Sequence, residues 1–170
     1  MPKTKVNESC PRWIMIVTNL VSLLIYATGG YIIYQLGAVW LAIFVFYVFW
    51  LEIRVMKYSC INCYYYGKSC AFGKGKISPL FFKKGSREAF INREITWMSI
   101  LPDFLVSLVP MIVGIVLIIM HFDWHILVAV VLLFLLTSVG NVFVRGSLAC
   151  KYCGQRELGC PAERMFNKKK

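Results

Sequence analysis

The 170-residue chain is poor in acid, poor in histidine, and nearly without charge through its long apolar stretches. Eight Asp and Glu stand against nineteen Lys and Arg, for a formal net charge of +11. Paired catalytic carboxylates have little to be drawn from, and no nucleophile–base pair stands out. His121 and His125 lie at one turn and form too small a set to be a metal site of their own. A phosphate-cradling loop is absent too. Gly67-Lys68-Ser69 has Asn62 where the first glycine of such a loop belongs, and Gly75-Lys76 is followed by Ile77. The chain therefore leans away from enzymes and nucleotide-binding proteins.

Apolar residues make up 59% of the chain, grouped in runs. A bilayer core takes about 20 apolar residues as helix. Four runs meet that length: 13–34, 37–56, 97–120 and 124–144, with Trp13, Trp40, Trp50, Trp97 and Trp124 near their ends. The expected fold is an all-α integral membrane protein with four transmembrane helices. Ala27-Thr28-Gly29 offers a small-x-small cleavage site, but the run continues to Tyr34, so the first span is expected to be retained.

All nineteen cations fall in three places: the first twelve residues, the segment Arg54 to Arg93, and the stretch from Arg145 onward. The turns at Gln35-Leu36 and His121-Phe122-Asp123 carry none. The positive-inside rule puts both termini and the central loop in the cytoplasm, with the protein in the plasma membrane. The basic face is expected to meet anionic lipid, and Phe81-Phe82-Lys83-Lys84 suits a membrane surface. No groove-reading module points to nucleic acid.

Several local expectations follow. The first hairpin turns at Gly29-Gly30 or near Gly37. Glu52 pairs with Arg54 or Lys57 at the interface. Ser86 to Glu94 forms a short interfacial helix. The third span opens at Ser99 to Asp103, with Pro102 in the first turn and Asp103 facing the helix dipole. Pro110 kinks it.

The chemistry lies in the cysteines. Cys60, Cys63 and Cys70 are separated by two and six residues; Cys150, Cys153 and Cys160 repeat that spacing ninety positions on. Each triplet follows an apolar hairpin, so the chain reads as one unit used twice. Repeat 1 covers 1–80, a basic interfacial linker 81–96, and repeat 2 97–170. Two spans per unit give both halves the same orientation and bring both triplets to one cytoplasmic cap. Disulfides are disfavoured in that compartment, so clustered thiols argue for metal or redox chemistry. Thiolates select zinc, copper(I) or iron–sulfur clusters.

Three thiolates are one short of a tetrahedral set. The triplets share sulfurs around two zinc ions, or each holds a [4Fe–4S] cluster with an outside fourth ligand. Alternatively, Cys10 or a nearby carboxylate completes a site. The spacing resembles the fungal binuclear zinc cluster, which implies two metals held by Cys60, Cys63, Cys70, Cys150, Cys153 and Cys160. The seventy-nine residues between the triplets, and Tyr64-Tyr65-Tyr66-Gly67-Lys68-Ser69 in place of a basic run, leave DNA recognition out of that resemblance. The whole chain also resembles a family of small four-helix membrane proteins with paired cysteine motifs, which brings no activity with it. The expected function is a membrane metalloprotein whose metal is structural or presents a protein partner. The alternatives are an iron–sulfur electron-transfer subunit or small oxidoreductase, and a metal- or thiol-handling protein.

Overall fold

The computed structural model describes residues 10–93, 96–155 and 159–161, with side chains left out at 145–147. The leader cations Lys3 and Lys5, and Arg156, Arg164 and Lys168 to Lys170, lie outside the described residues. What is described is helical throughout, with no strand.

Helix α1 spans Arg12–Tyr34 and α2 spans Ala38–Tyr58. The turn between them sits at Gln35–Gly37, where Gly37 takes φ 120°, a conformation glycine adopts without steric cost. Gly29 and Gly30 do not turn the chain; they lie buried inside α1. Phe44 and Pro110 stand 3.2 and 3.3 Å from where a Gly29 Cβ would be, so this glycine admits α2 and the third long helix close to α1.

After a 3₁₀ turn at Cys60–Asn62 come the short helices α3 (Lys74–Phe81) and α4 (Arg87–Ile91). Ser86 caps α4 by accepting the Ala89 N–H at 3.2 Å; the helix covers part of the expected 86–94, of which Glu94 lies outside the described residues. Helix α5 spans Trp97–Met120. It starts earlier than the Ser99 to Asp103 opening expected from Pro102. Pro102 is thus inside the helix, and Asp103 is not in the first turn, where the dipole would act on it.

Helix α6 spans Trp124–Leu135 and is capped by Asp123, which accepts the His125 N–H at 2.8 Å. Beyond Leu135 the helix widens to π geometry over Leu136–Gly140 and Val142–Ala149. The residues at the widening supply a cause. Thr137 and Ser138 donate their hydroxyls to the carbonyls of Leu133 and Phe134, at 2.8 and 2.5 Å. Those carbonyls would otherwise serve the α ladder alone, and back-bonding of this kind loosens it.

Four helical runs are long and apolar enough to cross a membrane: Arg12–Tyr34, Ala38–Asn62, Trp97–Met120 and Trp124–Val144. Helix α1 packs against the other three, and α2 meets α5 only over a short stretch. Ile25, Ile32, Ala129 and Leu133 form one core between α1 and α6; Ile33, Phe44, Leu51 and Val106 form another between α1, α2 and α5. Large apolar side chains also face outward, Phe46 and Ile119 being 76% and 79% exposed.

The cysteine segments are at the end of the bundle where α1 begins. Cys10, Ile14, Ala71 and Ala149 share one small core there. The expected partner of Glu52 is replaced. Glu52 on α2 pairs with Lys74 at the start of α3 and accepts the Tyr26 hydroxyl of α1 at 2.7 Å. Arg54 instead donates to the Ser99 carbonyl at 3.0 Å, beside the Trp50 ring. The loop after Cys70 thus reaches into the bundle and takes the carboxylate that neighbouring cations on α2 would have held.

Candidate metal centre

Each Cys-x2-Cys stretch folds into the same turn. The Cys63 N–H bonds the Cys60 carbonyl at 3.3 Å, and the Cys153 N–H bonds the Cys150 carbonyl at 3.3 Å. The third cysteine of the first triplet is brought back by further turns. Tyr66 N–H bonds Cys63 O at 3.1 Å, Lys68 N–H bonds Tyr65 O at 2.9 Å, and Gly67 N–H bonds Gly75 O at 2.8 Å. Gly75 then aims its own N–H at the Cys70 sulfur, 3.3 Å away.

The two segments meet by an exchange of like contacts. The Tyr65 hydroxyl accepts the Gly154 N–H at 2.9 Å, and the Gln155 side-chain oxygen accepts the Tyr64 N–H at 2.9 Å. Under the ninety-residue offset, Tyr65 corresponds to Gln155 and Tyr64 to Gly154. Each half therefore offers the side chain at one position to the backbone of the preceding position in the other half. That reciprocity is the mark of a two-fold contact between like units.

One sulfur of the first triplet also reaches the second segment. The Cys63 sulfur lies 3.9 Å from Gln155 Oε1. Burial pushes the Cys63 thiol up, backbone N–H groups at Tyr65 and Tyr64 pull it down, and Cys70 and Cys160 push it up again as like charges. The second triplet is thus felt at the first. Cys60 has Cys70, Cys63, Lys74 and Glu52 as its charged neighbours. Burial and the neighbouring Cys70 likewise raise Cys10. Tyr65 is raised first by burial, with the Gly154 N–H opposing and Cys153 and Cys10 adding to it.

No disulfide joins any of the seven cysteines. Among the described residues, no three Cys, His, Asp or Glu side chains stand at mutual ligand spacing. The donor set nonetheless suits a thiolate–metal centre. Gln155 is 1% exposed, and its amide nitrogen has no acceptor within reach. A buried donor left bare costs about 1–3 kcal/mol. The oxygen of the same amide accepts the Tyr64 N–H at 2.9 Å and the Cys63 S–H at 3.9 Å.

Cysteine spacing alone did not single out Tyr65, Gln155, Gly75 or Lys74. The ninety-residue offset contained the first two, because it pairs a tyrosine with a glutamine in matched turns. The two histidines stay apart from this centre: His125 Nδ1 lies 3.1 Å from Asp123 at the opposite end of the bundle. Neither a family profile, nor a curated protein, nor a solved structure matches the chain, so its resemblances rest on the cysteines and the helix count alone.

Proposed function

We propose that the protein is an integral membrane metalloprotein in which Cys60, Cys63, Cys70, Cys150, Cys153 and Cys160 bind metal through thiolates and so clamp the two halves at one end of the bundle. The single observation carrying this reading is the reciprocal exchange at Tyr65–Gly154 and Gln155–Tyr64, which joins the two cysteine turns. Two zinc ions, one for each triplet, suit the all-sulfur donor set. The Gly75 N–H supplies a hydrogen bond that a Cys70 thiolate would accept. Bound zinc would supply fixed thiolate geometry and folding free energy, not redox chemistry.

Insertion in a bilayer follows from the outward apolar side chains of the four long helices, an exposure that a water-facing bundle would not sustain. The excess of Lys and Arg in the segments around the cysteines supports a cytoplasmic side for that end and both termini. Leu80 and Phe81 are exposed beside Lys83 and Lys84, a surface suited to anionic lipid or to a partner in a membrane complex.

A [4Fe–4S] centre is the second reading. It is favoured by N–H donation to Cys70 sulfur and by the T-shaped Tyr64–Tyr65 pair beside the thiols. Elemental analysis with a visible spectrum of anaerobically purified protein separates the two. Colourless protein with zinc supports the clamp, and brown protein with iron and acid-labile sulfide supports electron transfer. Metal-free protein whose Cys63→Ser and Cys153→Ser variants behave like the wild type would sink both.

A further inference from the structure

Residues 82–93 form a strap pinned across the first cysteine turn. The Tyr66 hydroxyl donates to the Phe82 carbonyl at 2.7 Å, the Gly85 N–H to the Ile61 carbonyl at 3.0 Å, and Arg93 to the Ser59 hydroxyl at 3.0 Å. The strap carries Arg87 to the ring of Tyr64, its guanidinium carbon 5.3 Å from the centroid. Lys68 approaches the same ring, with Nζ 4.4 Å from the centroid and donating to the Tyr64 hydroxyl at 3.3 Å. The platform is held from behind. Its ring meets buried Tyr65 edge to face at 5.2 Å, and its N–H is taken by Gln155. The two cations thus stand within about 10 Å of each other, a separation that physiological salt screens only in part. Neither pairs with a carboxylate among the described residues, where the ion pairs are Lys74–Glu52 and His125–Asp123. Glu88, beside Arg87 in sequence, caps the first turn of α4 with its charge instead. Lys68 and Arg87 are exposed, as are Leu80 and Phe81 just before the strap.

We propose that Lys68 and Arg87, gathered on Tyr64, form a binding site for the phosphate of an anionic phospholipid headgroup. The inference rests on the membrane reading above, and not on the metal. Helix α2 ends at Tyr58 and α5 begins at Trp97, so in a bilayer the segment between them lies at the level of the headgroups. A phosphate accepting charge-assisted hydrogen bonds of about 2.8 Å from both cations fits a gap of this size and offsets their mutual repulsion. Cation–π attraction to Tyr64 keeps the two side chains in place when no phosphate is there. The exposed Leu80 and Phe81 distinguish a lipid from a free anion, because they offer the acyl chains an apolar surface beside the site. Since Gln155 holds the Tyr64 N–H, the headgroup is seated on the joint between the two cysteine segments.

The competing account is a diffuse positive surface with no site in it. The test uses the full chain in detergent, titrated with phosphatidylglycerol or phosphatidylcholine, with retained lipid counted by native mass spectrometry. The wild type should hold phosphatidylglycerol more tightly than phosphatidylcholine. Lys68→Gln combined with Arg87→Gln should weaken that binding about thirtyfold, and either change alone about fivefold. Lys57→Gln combined with Lys76→Gln removes the same charge from exposed positions at the same end, and should keep most of the affinity. Equal losses in the two double variants overturn the proposal, as does wild-type retention in Lys68→Gln and Arg87→Gln. Each single variant alters one exposed side chain, so the pair carries the test if the double variant does not fold. Displacement of phosphatidylglycerol by an equal concentration of inorganic phosphate would assign the site to a free anion and overturn the lipid. A chain that stays monodisperse after detergent removal and retains neither lipid would instead remove the membrane reading itself, so the two failures are told apart.

Discussion

Cys60–Cys63 follows a regular α-helix, and Cys150–Cys153 follows a stretch of π geometry, yet both make the same turn with the same 3.3 Å closing bond. The positions that differ under the ninety-residue offset explain the two routes. Tyr47 extends its hydroxyl away from α2 to the Pro102 carbonyl on α5, at 2.9 Å, and leaves its own helix ladder intact. Its counterpart Thr137 has only a short side chain and bonds back to Leu133. Glu52 and Arg54, which bind the cap and α5, correspond to Val142 and Val144. The comparison teaches that the cysteine turn is a local unit that tolerates different approaches. The joint between the halves is fixed by Tyr65 and Gln155, and the first half carries ionic fastenings that its partner does not have at the matching positions.

The largest effect should come from removing a first-half fastening. Glu52→Gln leaves the Lys74 ammonium without its carboxylate in a site about one-quarter exposed, with side-chain exposures of 21% and 27%. A loss of about 1–3 kcal/mol is expected, less than for a fully buried pair. Adding Lys74→Met should recover part of it, whereas Val142→Ala in the second half should leave the cap in place. Thermal unfolding in detergent reads the order, and a Glu52→Gln protein as stable as the wild type would break the contrast.

Next come the joint residues. Tyr65→Phe bares the Gly154 N–H, and Gln155→Ala bares the Tyr64 N–H, so each should cost about 1–2 kcal/mol. Because the contacts are reciprocal, the two losses should agree to about 0.5 kcal/mol, and the double variant should fall short of their sum. Strict additivity would mean that the two contacts do not belong to one joint.

The smallest effect concerns the π stretch. Replacing Thr137 by Val and Ser138 by Ala together removes both back-bonds, so stability should stay within about 1 kcal/mol of wild type or rise. Amide exchange over 137–142 should slow as the α ladder closes. Faster exchange would place the cause of the widening elsewhere.

Much of this was legible before folding was considered. The runs 13–34 and 97–120 matched α1 and α5 to within a residue, and the other two fell on α2 and on α6 with its π continuation, because long apolar stretches have few other ways to satisfy their backbone. Turn and cap chemistry was less legible. Gly29-Gly30 looks like a turn but serves close helix packing, and Pro102 looks like a helix start but is tolerated inside one. In both cases the neighbours decide, Phe44 and Pro110 beside Gly29 and Tyr47 at the Pro102 carbonyl. The partner of Glu52 was not legible either, since Arg54 and Lys57 are near in sequence while Lys74 becomes near only through the loop that follows Cys70.

By itself, the sequence determined the four long apolar helices, the ninety-residue offset of the cysteines and the type of atom at the candidate centre, since these follow from local hydrophobicity and from residue identity. Tertiary structure alone decided which half meets which. It put Tyr65 against Gly154 and Gln155 against Tyr64, drew Cys10 to Ser69, and gave Glu52 to Lys74. Those contacts join residues far apart in the chain, and their geometry depends on how the other three long helices pack around α1 rather than on any pattern within one of them.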